Sequence, residues 1–501
     1  LRTLHFFASL RLNSLFFNRK VRKEETSNFH TVYSTPPLTN LNIMKRRDFV
    51  KTGIASTLGF GAGLTILNNP ASVRGAAANE KINMALIGCG GRGSQLLHGF
   101  DYPNARMTGF QEFEDVNVLY CCDVRKDRGE RAAQRARTKY TADMRTVLDD
   151  KEVDAVICSL PDHWHALAVI LACQAGKDVF TEKPASHSAW EGQKMVEAAR
   201  KYKRIVQHGT QNRSAPYNME AKKFIDEGKL GNIHLCRVFN QKREMNSFRI
   251  ATGEAVPEGL NWDAWLGPAA MRPYSSTIIN HNWHELWDFS MGDLLNDGVH
   301  QLDLARWLVG KEFPKSAYAV GGRFTDPNSD AETSDTLIAT YEFDNMIMTA
   351  EETLYTDYIL KIDPTVRMTD MFPYWMQCST RIELYGTRGL MMVARHGGGW
   401  QVFVRPSNRQ PVVSAFGHGR FPDVEHRRNF LDCIKSRELP NGDIETGHRS
   451  TLLVHYAIMS YRAGGEKLDI NQEDGTLLGN PAATKFWKRD YRSPYEVPEN
   501  V

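Results

Sequence analysis

The spacing of apolar positions changes near residue 208, and the change separates two kinds of architecture. An apolar run at 82–87 leads into glycines and a helical pattern, and short runs recur in NVLYCCDV (117–124), VDAVICSL (153–160) and DVFTEKP (178–184). Between the last two, Leu167, Ile170 and Leu171 recur at helical spacing toward the sheet, and Gly176 closes that helix. Strands alternating with helices predict an open, doubly wound α/β layer over residues 80–208. After RIVQHGTQNRS that rhythm stops. One more helix is predicted over 217–227, closed by Gly228, and then strands alternate in IHLCRVFN, KSAYAVGGRF, DTLIATYEF, MIMTAEETL, RIELYG and QVFVRP. This pattern predicts a large, mostly antiparallel sheet within a second α/β domain over 209–501.

Composition narrows the class. The 501 residues are 42% apolar and 24% charged, which excludes a disordered, collagenous or polytopic membrane chain. The formal charge of +3 arises at the front, where residues 1–79 hold 11 Lys/Arg against 3 Asp/Glu. The remaining body is slightly acidic and gives no electrostatic reason to expect a nucleic acid partner. Eight cysteines form no CxxC pair, so neither a zinc knuckle nor a disulfide framework is expected.

Residues 44–79 have the order of an export signal. Arg46 and Arg47 precede a weakly apolar Gly/Ala-rich stretch at 53–67, and Ala76–Ala78 offer small residues for cleavage. The paired arginines resemble the twin-arginine type, so a periplasmic or otherwise exported protein with no stable membrane span is expected. Met44 stands where such a signal would begin, and residues 1–43 are read as an over-extended start or unstructured leader.

Candidate chemistry begins at the first turn. Gly88, Gly90 and Gly93 form G-x-G-x-x-G between strand and helix, enclosing Gly91 and Arg92 in a loop suited to a pyrophosphate. Asp123 ends the next strand, where a carboxylate binds ribose hydroxyls and repels a 2′-phosphate, favouring NAD over NADP, although Arg125 could receive that phosphate. It follows Gly93 by 30 residues rather than the usual ~20, and EFEDVN is read as a short insertion. Pro161, His163 and His165 follow a third strand and Glu182 and Lys183 a fourth, both at positions that meet a cofactor in open sheets. Lys183 has two readings, a functional ammonium or a surface lysine paired with Glu182. Farther on, residues 261–310 hold five tryptophans, which suit either a sugar pocket or a rigid aromatic core. There Asn296, His300 and Asp303 share one helical face if the helix has begun, with Leu302, Ala305 and Leu308 on the packing face.

In this order the glycine turn, PDHWHALAVILACQAGKDVFTEKP and NDGVHQLD resemble the Gfo/Idh/MocA oxidoreductases over residues 81–465, and WDAWLGPA and GTQNRS resemble exported members associated with sugar metabolism. The resemblance implies a Rossmann domain and an α/β domain whose open sheet forms dimers or tetramers. It implies that Lys183 meets nicotinamide ribose and substrate and that His300 is catalytic. The aspartate usual four residues before that histidine is replaced by Asn296, with an acid displaced to Asp297. The expected activity is NAD-dependent hydride transfer on a saccharide, with retained cofactor, His300 as base and Lys183 polarising the oxygen. Asn296, Asp297 and Asp303 are expected to bind substrate or orient His300, and His165, His281, His284 and Tyr274 are further acid–base candidates. Two alternatives are glycoside cleavage through transient oxidation and a nonenzymatic sugar binder with structural NAD.

Overall fold

The computed structural model describes residues 81–501 apart from 103–104, 243–246, 357 and 407–408, so the expected leader and export signal lie outside the described residues. Strand β1 (Ile82–Ile87) is followed by a small hairpin of β2 (Phe100–Tyr102) and β3 (Ala105–Met107). Strands β4 (Val116–Cys122), β5 (Lys139–Thr141), β6 (Ala155–Cys158), β7 (Asp178–Thr181) and β8 (Val206–His208) complete a parallel sheet in the order β5-β4-β1-β6-β7-β8. β6 and β7 are buried at every position, as strands covered on both faces by helices must be. Helix His165–Gln174 carries Leu167 and Ile170 into that core, leaves Leu171 only half-buried, and ends before Gly176 at φ 78°.

The second sheet has nine strands: β9 (Ile233–Gln241), β10 (Ser316–Gly322), β11 (Thr336–Phe343), β12 (Met346–Thr353), β13 (Arg381–Gly386), β14 (Gly389–Ala394), β15 (Trp400–Val404), β16 (Val412–Gly417) and β17 (Leu468–Asp469). They run in the order β16-β15-β14-β13-β9-β12-β11-β10-β17, all antiparallel except the β9–β12 pair. Leu337, Ala339, Tyr341 and Phe343 of β11 point inward while Ile338 faces out, the alternation of a sheet covered on one side. Helices Val299–Val309 and Ile444–Arg462 pack on the inner face. The later chain also returns to the first sheet. Phe430 and Leu431 of helix Asp423–Ser436 join the core behind β1, and Val497 and Val501 join the core on its other side. Among the described residues no helix is long and apolar enough to cross a membrane.

Candidate active site

The carboxyl ends of β1, β4, β6 and β7 open into a cavity of about 1330 Å³, at the point where the strand order reverses. Gly88 holds φ 92°, and a Cβ there would lie 2.2 Å from Ser159 O. A Cβ on Gly93 would lie 1.9 Å from Gly88 O, so this glycine allows helix and strand to touch. Gly90 and Gly91 instead face the cavity, with nothing within 4 Å of a Cβ on Gly91. Helix Gly91–His98 starts there with neither a side-chain cap nor an acid in its first turn. Its first amides are therefore aimed at an anion that a larger residue would exclude. Asp123 also lines the cavity, and its carboxylate accepts from Cys89 N at 2.7 Å and Arg125 N at 2.8 Å. Burial raises its pKa while those amides oppose the shift. The glycine turn and the acid thus brace each other, a cradle that fits a dinucleotide.

The late position of Asp123 has a larger cause than EFEDVN. The β2–β3 hairpin and the turn Phe110–Glu112 occupy the interval before β4, and the last two residues of EFEDVN belong to that strand. Arg125 pairs with Asp127 at 3.1 Å while still lining the cavity.

Lys183 is not a surface lysine paired with Glu182. Glu182 accepts from Arg92 at 2.7 Å, and Arg92 reaches Asp423 at 3.0 Å. The Lys183 ammonium instead donates to Asn296 O at 2.5 Å and to its Oδ1 at 2.7 Å. Burial lowers the Lys183 pKa, with Glu182, Asp297 and Asp162 opposing. His300 lines the same cavity, is 3% exposed, and keeps Nδ1 buried without a partner, leaving Nε2 as the nitrogen open to the cavity. Burial and the cations Arg395 and Lys183 hold its pKa well below the usual histidine range, so the ring is neutral at neutral pH. A neutral imidazole and a fixed ammonium share the wall of one cavity, a pairing that can take a proton from an oxygen and stabilise charge on it.

The helical face expected for Asn296, His300 and Asp303 divides. Leu294–Gly298 is a π-helical turn, and ordinary α-helix begins only at Val299. Asn296 and His300 reach the cavity, but Asp303, one turn farther along the α-helix, does not: it is fully buried beyond the wall, where it meets Arg213 at 2.9 Å and Ser450 at 2.6 Å. Asp297 makes no hydrogen bond to His300. It faces Lys242 at 2.5 Å, Arg395 at 3.2 Å and Lys361 at 3.4 Å, and these cations overcome burial to hold it ionised.

Other expected residues are structural. His163 lies off the cavity wall, with Nε2 3.0 Å from Trp265 O and its ring against Phe289. His165 also lies off the wall, its two nitrogens 2.6 Å from Pro184 O and 2.8 Å from Leu160 O, so it ties together the loops after β6 and β7. Tyr274 packs edge-on against Trp262 in a buried aromatic cluster and does not reach the cavity. Pro161, His281 and His284 do line it, with Trp283 stacked on His284 at 3.6 Å. The tryptophan-rich segment divides: Trp262 is core, while Trp265 and Trp283 line the cavity.

Tyr102, Lys361, Arg367, Arg395, His396 and Phe421 also form wall and were not foreseen. They come from the hairpin insertion and from distant loops of the second domain, and ARHGGGW after β14 was the one local signal, a charged pair before a glycine turn.

A family model described as "Oxidoreductase family, NAD-binding Rossmann fold" matches residues 82–210, and one described as "Oxidoreductase family, C-terminal alpha/beta domain" matches 218–348. Levoglucosan dehydrogenase of Pseudarthrobacter phenanthrenivorans is 38% identical over 46% of this chain and 52% of its own length. Inositol 2-dehydrogenase/D-chiro-inositol 3-dehydrogenase of Lactiplantibacillus plantarum is 28% identical over 36% and 51%. The chain spans about half the length of the curated relatives it matches. The solved levoglucosan dehydrogenase complex with NADH superposes with a TM-score of 0.58 at 18% identity, covering 78% of this chain and all of that one. With both domain models matched in sequence order and the glycine turn, Lys183 and His300 gathered on one cavity, the chain belongs to the Gfo/Idh/MocA family of oxidoreductases.

Proposed function

We propose that the protein is an NAD-dependent oxidoreductase that interconverts a saccharide hydroxyl and the corresponding ketone. The observation that carries this reading is the convergence of Lys183, His300 and the glycine turn on one cavity. Gly88–Gly93 and Asp123 would hold the dinucleotide, whose nicotinamide supplies the hydride acceptor when bound. In the oxidation direction His300 takes the hydroxyl proton at Nε2. Lys183, fixed by Asn296, sets its positive charge against the oxygen as negative charge develops there. Asp123 supports NAD rather than NADP. The sequence signal over 44–79 supports export, and scarcity of free cofactor outside the cytoplasm supports a tightly retained one. Exposed Tyr318, Val320, Ile338 and Ile347 on the outer face of the nine-stranded sheet support pairing of two copies there.

The test is direct. Purified protein is denatured and the supernatant assayed for dinucleotide, and a panel of sugars and glycosides is assayed for NADH. Expected are released NAD, accumulation of NADH with a keto sugar, no free aglycone, and loss of turnover in K183A and H300A with folding preserved. Wild-type turnover in both variants would refute the reading, and aglycone release without NADH would replace it by cleavage through transient oxidation.

A further inference from the structure

One wall of the cavity carries more positive charge than a neutral sugar requires. Arg367 ends the short helix Pro364–Arg367, and its guanidinium lies over the ring of Phe421 at 4.2 Å and that of Tyr102 at 4.8 Å. Among the described residues it has no ion pair or side-chain hydrogen bond, and its Nε is buried without a partner. Arg395, only 5% exposed, lies over the same Phe421 ring at 5.8 Å, leaves its own Nε unpartnered, and shares Asp297 with Lys242 and Lys361. Arg92 nearby is already satisfied by Glu182 and Asp423. A largely desolvated guanidinium without an anion is costly, and Arg395 beside it, whose carboxylate partner Asp297 is shared with two lysines, adds to the positive charge on this wall. Stacking on aromatic faces leaves the planar edge of Arg367 for recognition, and that fork matches a carboxylate.

We propose that the saccharide accepted here carries a carboxylate, as a uronate does, and that Arg367, with Arg395 beside it, receives that group in the cavity that holds Lys183 and His300. This rests on the saccharide oxidoreductase reading above. A monoanion balances the single uncompensated guanidinium. Tyr102, which supports Arg367, comes from the hairpin inserted before β4, so the unusual spacing ahead of Asp123 serves the substrate side of the cavity.

The experiment compares matched pairs on the full chain: glucose with glucuronate, galactose with galacturonate, and a hexose phosphate. The uronates are expected to exceed their neutral partners in kcat/KM by about tenfold or more, about 1.4 kcal/mol or more. The ratio should collapse toward one in R367M, and R367K should recover part of it by keeping the charge without the fork. Should R367M melt far below the parent, R367K carries the test, with a reduced ratio expected. Neutral sugars preferred over uronates, or an unchanged ratio in a folded variant, would overturn the proposal. Preference for the hexose phosphate would overturn the carboxylate assignment. If no sugar is turned over, the oxidoreductase reading fails by itself, and calorimetry of the same pairs on NADH-loaded protein decides this one. Uronate binding that is lost in R367M supports it, and equal or absent binding of uronates and neutral sugars overturns it.

Discussion

Replacing Asn296 with alanine isolates the positioning of Lys183. The ammonium has two acceptors on Asn296, the backbone oxygen at 2.5 Å and the side-chain Oδ1 at 2.7 Å, and N296A removes only the second. A hydrogen bond to a charged group is worth about 1.5–3 kcal/mol, and each ~1.4 kcal/mol is tenfold in rate, so kcat/KM should fall about 10- to 150-fold. The surviving backbone acceptor places the result in the lower half of that span. Loss of an acceptor also disfavours the charged lysine, whose pKa burial already lowers, so the basic limb of the pH–rate profile should move to lower pH. The assay is NADH formation across pH with a sugar that the parent oxidises, alongside a thermal melt. Parent-like kcat/KM with an unmoved basic limb would refute the claim that this bond holds Lys183 for chemistry.

Three further outcomes follow from separate parts of the molecule. G88A should lose retained dinucleotide and melt lower, because its Cβ would lie 2.2 Å from a backbone oxygen at φ 92°; cofactor assay of the denatured supernatant checks it. D303A strands a buried Arg213 and should cost about 3–5 kcal/mol of stability, read from denaturant unfolding, where a parent-like midpoint would show the pair to be dispensable. Burial raises the Glu285 pKa to about 7 from an unfolded value of 4.5, so the folded state binds the extra proton between those values and stability falls as pH rises through them, by roughly 3 kcal/mol. E285Q should flatten that part of a melting-temperature profile, and an unchanged slope would assign the proton elsewhere.

What the sequence made legible was what depends on local pattern. The glycine turn is a backbone requirement and Asp123 is the end of a strand, so both could be placed from residue type and spacing alone. Lys183 and His300 were recognisable by motif, yet their convergence depended on the loop after β7 meeting the π-turn before Val299, where Lys183 bonds Asn296. The errors have a common origin. Asn296, His300 and Asp303 were placed on one face; Asn296 and His300 keep it across the π-turn, whereas Asp303, a turn farther along the α-helix, is buried against Arg213 and Ser450, a distant partnership that helical spacing does not reveal. His163, His165 and Tyr274 have polar atoms that suit chemistry, and only the structure shows His163 and His165 spent on main-chain oxygens and Tyr274 buried in an aromatic cluster. Strand β14 was not foreseen because GLMMVA is apolar throughout, with four buried positions in succession and no alternation. Arg395, which follows it, was lost with it.

The exchange of an acid for Asn296 then has a physical reason. Its Oδ1 accepts from Lys183 at 2.7 Å while its Nδ2 donates to Asp293 Oδ1 at 3.2 Å, so the residue needs one acceptor and one donor. A carboxylate supplies no donor and would face Asp293 with like charge, and only a shared proton could relieve the pair. Asp293 cannot simply yield, because it also accepts from Asn240 at 2.8 Å and pairs with Lys242 at 3.1 Å. The acid at Asp297 is meanwhile taken by Lys242, Lys361 and Arg395. Negative charge is thereby moved one residue away from Lys183 and set among Lys242, Lys361 and Arg395, the last two of which line the cavity. Lys183 is left with neutral acceptors that orient its ammonium without neutralising it, so its positive charge remains available to the substrate oxygen.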